Sequence, residues 1–371
     1  MGAYSMPIRS CTSSLLDPGW CRPSMSWRSS SIRAAVDPSL GLHAGRSRAV
    51  AWLRLGALTG LLAVVMLAAI GTGPLFFSPA EVARALVSSH ESLARTVVWD
   101  LRLPRVLLAV FVGANLAVSG ALLQGVTRNP LADPYLLGIS AGGVFAAVAT
   151  LTVLPGIGPE WRAAVAFGGS LAAGGFTYLA AWKGGISPTR LILSGVALSS
   201  LLTAFTSTLL VTSTTSAQIA VSWLVGGFLG RGWDHFSWLW PYSAVGLLTA
   251  QAASRHVNII VLGDEVATSL GQRVERVRLL LVAVAALLAG SAVSVAGLIG
   301  FFGLAVPHIA RFLFGSDYRL VIPASALIGA LLMVVGDTAA RTVLDPRELP
   351  VGVLTAAMGA PFLLYLVRRR A

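Results

Sequence analysis

Residues 106–126 read VLLAVFVGANLAVSGALLQGV and contain no charged side chain. An α-helix needs about 20 predominantly apolar residues to cross the hydrocarbon core of a bilayer. The stretch is therefore long enough for one membrane-spanning helix. Its Gly and Ser residues are typical of the faces on which membrane helices pack against one another.

The composition of the whole chain points the same way. Of its 371 residues, 56% are hydrophobic and only 11% are charged, whereas a soluble domain has about 25% charged residues. This excludes a soluble enzyme, a disordered chain, a collagen-like chain and a disulfide scaffold. The predicted fold class is an all-α polytopic membrane protein with about ten transmembrane helices. The ten apolar segments lie near residues 50–71, 106–126, 134–154, 161–182, 190–212, 236–253, 279–298, 300–314, 321–341 and 351–367.

The N-terminal part of the chain has a different composition. Residues 1–45 are rich in Ser, Arg and Pro and lack an apolar run, so we predict a disordered tail there and the ten-span domain over residues 46–371. Met25 is an alternative translation start. Cys11 and Cys21 both lie in this tail, and their spacing assigns them no role.

The net charge is +12, and the positive residues are distributed as expected for a membrane protein. With both termini placed in the cytoplasm, 15 of the 27 Lys and Arg residues fall inside and 8 fall outside, as the positive-inside rule requires. The cations are spread between apolar segments rather than clustered, which disfavours nucleic acid as a partner. The outer arginines still exceed what topology alone needs.

Local signals predict where several helices begin and break. Ser78–Glu81 has the form of a capping box. Asp133-Pro134 and Ser187-Pro188 each place a capping residue before a proline at the first helical position. The uncharged residues 279–310 are too long for one crossing, so we expect two spans with a break near Gly297, Gly300, Gly303 and Pro307.

Two stretches of the chain are weakly similar in sequence. The sequence GANLAVSG at 113–120 resembles GSAVSVAG at 290–297, which predicts two weakly related halves, as in many transporters. Small residues also recur at any packing face in lipid, which leaves a simpler explanation open. Residues 191–230 predict one span followed by a short re-entrant piece.

Five short motifs occur in a fixed order along the chain. They are Arg102-Leu103-Pro104-Arg105, then Asn129-Pro130-Leu131-Ala132-Asp133-Pro134-Tyr135-Leu136-Leu137-Gly138, Gly297-Leu298-Ile299-Gly300-Phe301, Pro307-His308-Ile309-Ala310-Arg311 and Glu348-Leu349-Pro350-Val351-Gly352. Together they resemble the FecCD family, the permeases of ATP-binding-cassette (ABC) importers for iron-siderophore, haem and cobalamin uptake. The resemblance covers residues 50–371.

The resemblance implies a set of partners in a bacterial inner or plasma membrane. We expect a homodimer, two ABC ATPase subunits and an extracytoplasmic substrate-binding protein, with an iron-siderophore complex as cargo and haem or cobalamin as the alternative. A Walker A loop needs a Gly-Lys-[Ser/Thr] sequence, yet Lys183 is the only lysine and follows Trp182. We therefore expect no cofactor on this chain, and ATP use by the partner subunit.

The resemblance also assigns roles on the outer face. Arginines of the family meet glutamates of the binding protein there, and the matching positions are Arg102, Arg105 and Arg341. Such charge complementarity sets docking rate and orientation more than affinity. Two alternatives stay open: Arg102 and Arg105 anchor a helix end at the lipid headgroups, and Arg341 pairs with Asp337 four residues earlier on one helix face.

On the inner face, the resemblance places an ATPase coupling loop between segments six and seven. Its residues are Gly263, Asp264, Glu265, Ala267, Leu270 and Gly271. An ordinary amphipathic loop is the alternative. The cytoplasmic gate matches Ser187, Pro188 and Thr189, although the proline departs from the small hydroxylic residues of the family.

The transport pathway is predicted to run along segment five. Its small polar residues at helical spacing are Ser194, Ser199, Ser200 and Thr203. Ser and Thr also serve as packing residues in lipid, which is the alternative.

The sequence lacks the residues that two other function classes need. An ion-coupled secondary transporter needs an intramembrane carboxylate relay, yet Asp337 is the one acidic residue in the ten proposed spans. A membrane-embedded enzyme needs clustered His or acidic residues at one depth. His308 follows Pro307 without further ligands at metal-binding spacing, so no metal site is predicted.

Overall fold

The computed structural model describes residues 38–87, 92–154, 156–212, 223–344 and 348–370. Within these ranges the chain is helical, and extended pairing is limited to an isolated bridge between Trp182 and Ile186. Cys11, Cys21 and most of the predicted tail lie outside the described residues, so the tail stays a prediction.

The helices agree with the predicted segments. In chain order they are α1 (Pro38–Gly71), α2 (Pro79–Val87), α3 (Leu93–Thr127), α4 (Ile139–Val153), α5 (Pro159–Ala181), α6 (Pro188–Thr212), α7 (Trp233–Val261), α8 (Asp264–Ser269), α9 (Val274–Ala296), α10 (Phe302–Phe314), α11 (Tyr318–Thr342) and α12 (Val351–Arg370). Each of the ten predicted segments overlaps one of them. In the described part of the chain, six helices are long and apolar enough to cross a membrane, namely α1 from Ala49, α3, α5 from Trp161, α6, α9 and α11.

The core is built around α3 and α9. Their most apolar stretches are 83% and 78% buried, whereas those of α1 and α6 are 22% buried. The two weakly similar sequences, 113–120 and 290–297, therefore lie on the two central helices, which pack against each other. Whether the two halves are related stays a prediction.

Small residues let the central helix approach its neighbours closely. A Cβ added at Gly120 would overlap the carbonyl oxygen of Gly303 in α10, and one added at Gly113 would overlap that of Gly329 in α11. Backbone contact of this kind is the usual way in which membrane helices gain packing energy.

One buried amide adds polar contacts to the same packing. The Asn115 Nδ2 in α3 donates to the hydroxyls of Ser243 (2.7 Å) in α7 and Ser291 (3.1 Å) in α9. Three central helices are thereby joined by side-chain hydrogen bonds as well as by apolar packing.

Three of the four local signals at helix ends are confirmed. The Ser78 amide donates to Glu81 Oε2 (2.8 Å) and the Glu81 amide to Ser78 Oγ (3.4 Å), which is the predicted capping box. α6 begins at Pro188, as predicted. The long apolar run breaks after Ala296 and resumes at Phe302, so the break includes Gly297 and Gly300, whereas Gly303 and Pro307 lie within α10.

The predicted helix start at Asp133-Pro134 is wrong. α4 begins at Ile139, and residues before it form turns. The Asp133 Oδ1 accepts a hydrogen bond from the Tyr135 amide (2.9 Å), which makes a side-chain-closed turn instead of a helix cap. The re-entrant piece predicted after α6 falls largely on residues 213–222, outside the described residues.

Candidate functional site

α8 is a short helix bounded by two glycines in conformations that other residues avoid. Gly263 has φ +114° before the helix, and Gly271 has φ +79° after it. A residue with a Cβ is strained at such angles. The sequence motif with glycines at both ends therefore produces one isolated helical turn between α7 and α9.

The two sides of α8 differ in what they contact. Ala267 is buried, while Val266 and Leu270 are 44% and 61% exposed. Glu265 is also exposed. The structure thus brings the predicted coupling residues onto one short element that presents apolar and acidic side chains outward.

The first residue of α8 is held by two arginines. Asp264 Oδ1 lies 2.9 Å from Arg278 Nη2 and 3.1 Å from Arg128 Nη2. Arg278, one of the three arginines that follow the predicted coupling loop in the sequence, lies in α9 and is fully buried. Its burial follows from long-range packing, which the local sequence does not reveal.

The predicted gate residues lie directly before and at the start of α6. Ser187 and Pro188 are half-buried and Thr189 is exposed. The preceding residue, Ile186, is buried, and its amide donates to the carboxylate of Glu275 in α9 (3.3 Å). The gate segment is therefore in contact with the beginning of α9.

The structure brings two of the three outer arginines together on one carboxylate. Arg105 Nη2 lies 2.9 Å and Arg341 Nε 3.2 Å from the oxygens of Asp337. Arg105 also pairs with Glu348 (2.9 Å). The Asp337–Arg341 pair, predicted as the alternative, is present.

Arg102, the third arginine predicted on the outer face, does not share the Asp337 carboxylate. Arg102 donates to the carbonyl oxygens of Ile70 (2.8 Å) and Leu75 (2.6 Å). Docking of a partner on Arg102, Arg105 and Arg341 stays a prediction.

A cavity of about 460 Å³ opens beside these arginines. A fourth arginine, Arg231, lines it together with the carboxylates of Asp100 and Glu348. Arg231 lies over the ring of Trp223, with its Cζ 5.0 Å from the centroid. Within the described residues, no carboxylate forms an ion pair with Arg231, whose Nη1 lies 2.8 Å from His235 Nε2. The arginines of the lining outnumber its carboxylates, so the lining is net positive. Sequence reasoning counted Arg231 among the outer cations but gave it no role.

A second cavity, of about 520 Å³, lies between the loop before α4 and the beginnings of α10 and α12. Its lining is mostly apolar and includes Asp133, Tyr135 and Phe301. Burial raises the pKa of Asp133 to about 6. The side chain of Asp133 is 9% exposed, so its carboxylate faces an apolar environment.

The predicted pathway residues are divided between buried and exposed positions on α6. Ser199 is buried and donates to the Tyr135 carbonyl (2.8 Å), on the wall of the second cavity. Ser194 is half-buried, and Ser200 and Thr203 are exposed. None of these four described residues lines the second cavity itself.

Metal ligands do not cluster in the described part of the chain. A search of those residues finds no group of three or more His, Cys, Asp and Glu side chains able to hold a metal ion. His308 Nδ1 lies 3.1 Å from the Leu304 carbonyl oxygen.

Comparison with known proteins gives concordant matches. Residues 61–369 match the profile of the FecCD transport family. The chain is 42% identical over 293 residues to the Fe(3+)-citrate import system permease protein YfmD of Bacillus subtilis, covering 76% of this chain and 87% of that protein. It is 45% identical over 278 residues to the cobalamin import system permease protein BtuC of Halobacterium salinarum, covering 75% and 74%.

A solved structure has a similar fold over most of this chain. It is an inward-facing conformation of a metal-chelate type ABC transporter, which superposes with a TM-score of 0.77 at 30% identity and covers 85% of this chain and 98% of its own. With the family profile matched over nearly all of the apolar region and relatives above 40% identity over three quarters of the sequence, this chain belongs to the FecCD transport family.

Proposed function

We propose that this chain is the permease of an ABC importer that carries a ferric chelate of the iron-siderophore type. Family membership makes it a membrane permease, a transport subunit rather than an enzyme. In the proposal it forms a homodimer, receives its cargo from an external binding protein and is driven by two ATPase subunits. Haem and cobalamin are the alternative cargoes.

The observation that carries the proposal is the construction of α8. Its buried side is fixed by Ala267 and by the Asp264–Arg278 ion pair, while Val266 and Leu270 stand exposed on the other side. A rigid element with exposed apolar side chains is suited to a groove on a partner protein. We assign that groove to the ATPase, with Glu265 and Leu270 in contact with it.

The homodimer is proposed from the exposure of α6. This helix is long and apolar, yet 22% of its most apolar stretch is buried within the chain. Ser200 and Thr203 add exposed hydroxyls to it. Hydroxyl groups on an apolar helix are suited to a protein interface or a polar pathway, and a second copy of the chain provides both.

The cargo is proposed from the charge of the first cavity, the one of about 460 Å³ beside the arginines, which we call the outer cavity. Four arginines line it, Arg102, Arg105, Arg231 and Arg341, against the two carboxylates of Asp100 and Glu348. A net positive, partly enclosed surface attracts carboxylate-bearing groups. Such groups occur on ferric chelates like the ferric citrate named for one relative and on acidic residues of a delivering protein.

The test is uptake by the reconstituted importer in vesicles. With its ATPase and binding protein, we expect ATP-dependent entry of a radiolabelled ferric chelate in preference to haem or cobalamin. Entry that needs an ion gradient but no ATPase would instead support a secondary transporter.

The same vesicles test the coupling helix. Val266→Ala and Leu270→Ala should weaken retention of the ATPase by about tenfold or more, and Glu265→Gln or Gly271→Ala should separate ATP hydrolysis from uptake. Thr268→Ala, on the same helix, is the matched control and should behave as wild type. Equal retention by all variants would refute α8 as the ATPase contact.

A further inference from the structure

The largest fully buried side chain in the described residues is a charged one, Arg278. Its Nη1 donates to the Ile186 carbonyl oxygen (2.8 Å) and to Glu275 Oε1 (3.1 Å). Its Nη2 donates to both oxygens of Asp264, at 2.9 and 3.1 Å. One guanidinium therefore bonds to three separate parts of the chain.

Two of those parts belong to segments to which the family resemblance assigns a function. Asp264 is the first residue of α8, the proposed contact with the ATPase. Ile186 immediately precedes the gate residues Ser187, Pro188 and Thr189. The chain between Ile186 and Asp264 passes through α6 and α7, so Arg278 provides a much shorter connection through space.

On the gate side of this connection, both backbone polar groups of Ile186 are hydrogen-bonded. The Ile186 carbonyl oxygen accepts from Arg278, and its amide donates to Glu275 (3.3 Å), which itself pairs with Arg278. Glu275 and Arg278 lie one turn apart on α9. The beginning of α9 therefore clamps the loop that leads into α6.

The α8 side is held mainly by the same guanidinium. Arg128 also pairs with Asp264, but its side chain is 34% exposed, whereas that of Arg278 is 1% exposed. A buried charge that loses a partner carries an uncompensated desolvation cost, while an exposed pair is replaced by water at little cost. The Arg278 bonds are thus the ones that resist separation of α8 from the gate loop.

We propose that Arg278 is a positioning residue that transmits movement of α8 to the gate loop at residues 183–189. When the ATPase displaces α8, Asp264 moves the buried guanidinium of Arg278. Ile186 follows because its carbonyl oxygen accepts from Arg278 and its amide donates to Glu275, which pairs with Arg278. This inference rests on the proposed function, since it takes α8 as the ATPase contact.

The experiment uses the complete importer in vesicles, with Cys11 and Cys21 replaced by Ser and spin labels on Lys183→Cys and Arg255→Cys. Three quantities are measured: ATP hydrolysis, cargo uptake and the distance between the two labels with and without ATP. In the otherwise unchanged protein we expect ATP to shift that distance.

Arg278→Gln should keep ATP hydrolysis within about twofold of wild type, lose the ATP-dependent distance shift and reduce uptake by about tenfold or more. Arg278→Lys keeps the charge but cannot reach both segments, so its uptake should be intermediate. Arg276→Gln, an exposed arginine on the same helix, is the matched control and should leave all three quantities unchanged.

A second variant covers the case in which Arg278→Gln does not fold. Asp264→Asn alters the partly exposed α8 end of the connection and should give the same separation of hydrolysis from gate movement. If either folded variant shows a normal distance shift and normal uptake, the relay is overturned. That outcome leaves the proposed function standing, whereas the absence of ATP-driven uptake in the unsubstituted importer overturns the proposed function itself.

Discussion

Arg105 in α3 places its Nη2 2.9 Å and its Nε 3.1 Å from the carboxylate of Asp337 in α11. Asp337 is 1% exposed and also lies 3.2 Å from the guanidinium of Arg341. One buried carboxylate thus compensates two arginines that belong to different helices. It ties the first half of α3 to the end of α11, more than two hundred residues further along the chain.

Asp337→Asn should therefore destabilise the protein strongly. Two guanidinium groups lose their shared negative partner in a buried setting, for which we expect a loss of about 3–5 kcal/mol. Thermal unfolding of the purified protein in detergent measures the effect. Glu348→Gln is the control, because Glu348 is 32% exposed and its pair with Arg105 should be worth about 0–1 kcal/mol. Equal melting temperatures for the two variants would contradict the conclusion that Asp337 compensates both arginines.

Gly120→Ala should disrupt the packing of the central helix. The added methyl group meets the backbone of Gly303 rather than a movable side chain, so we expect a loss of about 1–3 kcal/mol or more. Gly168→Ala in α5 is the matched control, because no atom lies within 4 Å of its added Cβ. It should be neutral, or stabilising by up to about 1 kcal/mol. Thermal unfolding of both variants in detergent measures the difference. A Gly120→Ala protein as stable as the wild type would refute the close contact between Gly120 and Gly303.

Asp133→Asn should change how stability depends on pH. Burial raises the pKa of Asp133 to about 6, above the value of about 3.9 in an unfolded chain. The folded state therefore binds the proton more tightly. The contribution of Asp133 to the free energy of unfolding is greatest below about pH 4. It falls as the pH rises to about 6 and stays constant above that pH.

The Asn variant lacks this slope and should be more stable at pH 7.5, by up to about 3 kcal/mol. Melting temperatures between pH 4 and 7.5 measure the difference. Asp234→Asn replaces an exposed carboxylate and serves as the control, which should follow the wild-type pH dependence. A slope that survives in Asp133→Asn would show that another group causes it.

Arg231→Glu should weaken docking of the external binding protein. The side chain lines the outer cavity without a carboxylate partner among the described residues, so charge reversal breaks no observed ion pair. It also removes the contacts of Arg231 with His235 and Trp223, so the folded fraction of the variant is verified first. We expect about tenfold slower association at low ionic strength, with the difference shrinking at high salt. Arg84→Glu, on the exposed side of α2, is the control. An association rate that is unchanged at low salt would exclude Arg231 from the docking surface.

Charge reversal of Arg102, Arg105 and Arg341 should also weaken docking if the roles predicted from the family hold. Arg102 is bonded to backbone carbonyls, and the other two share Asp337. Their substitution therefore lowers stability as well as removing charge. Binding must be measured at a temperature where the folded fraction of the triple variant is verified.

The arrangement of helices along the chain was largely predictable from the sequence. Apolar segments of membrane-spanning length are a local property, and so are a capping box such as Ser78–Glu81 and a break such as that after Ala296. Asp133-Pro134 failed as a helix start because the same residues also close a turn. The choice between the two outcomes depends on packing beyond the motif.

The partners of the charged residues were less predictable. The Asp337–Arg341 pair follows from helical spacing, but Arg105 joins it only because α3 packs against α11. Arg278 belongs to a positively charged segment that reads as an exposed loop. Its burial and its bonds to Ile186 and Asp264 depend on contacts between segments that are distant in sequence.

The residues that anchor α8 to the rest of the chain differ from those that it exposes, and this bears on which ATPase can bind. Its anchoring contacts, through Ala267 and Asp264, are separate from its outward side chains, Val266 and Leu270. If α8 contacts the ATPase, as we propose, changes to the outward side chains should alter the choice of ATPase while the anchoring contacts stay intact. Replacing Val266 and Leu270 with the residues of another permease tests this, with retention of each ATPase as the measurement.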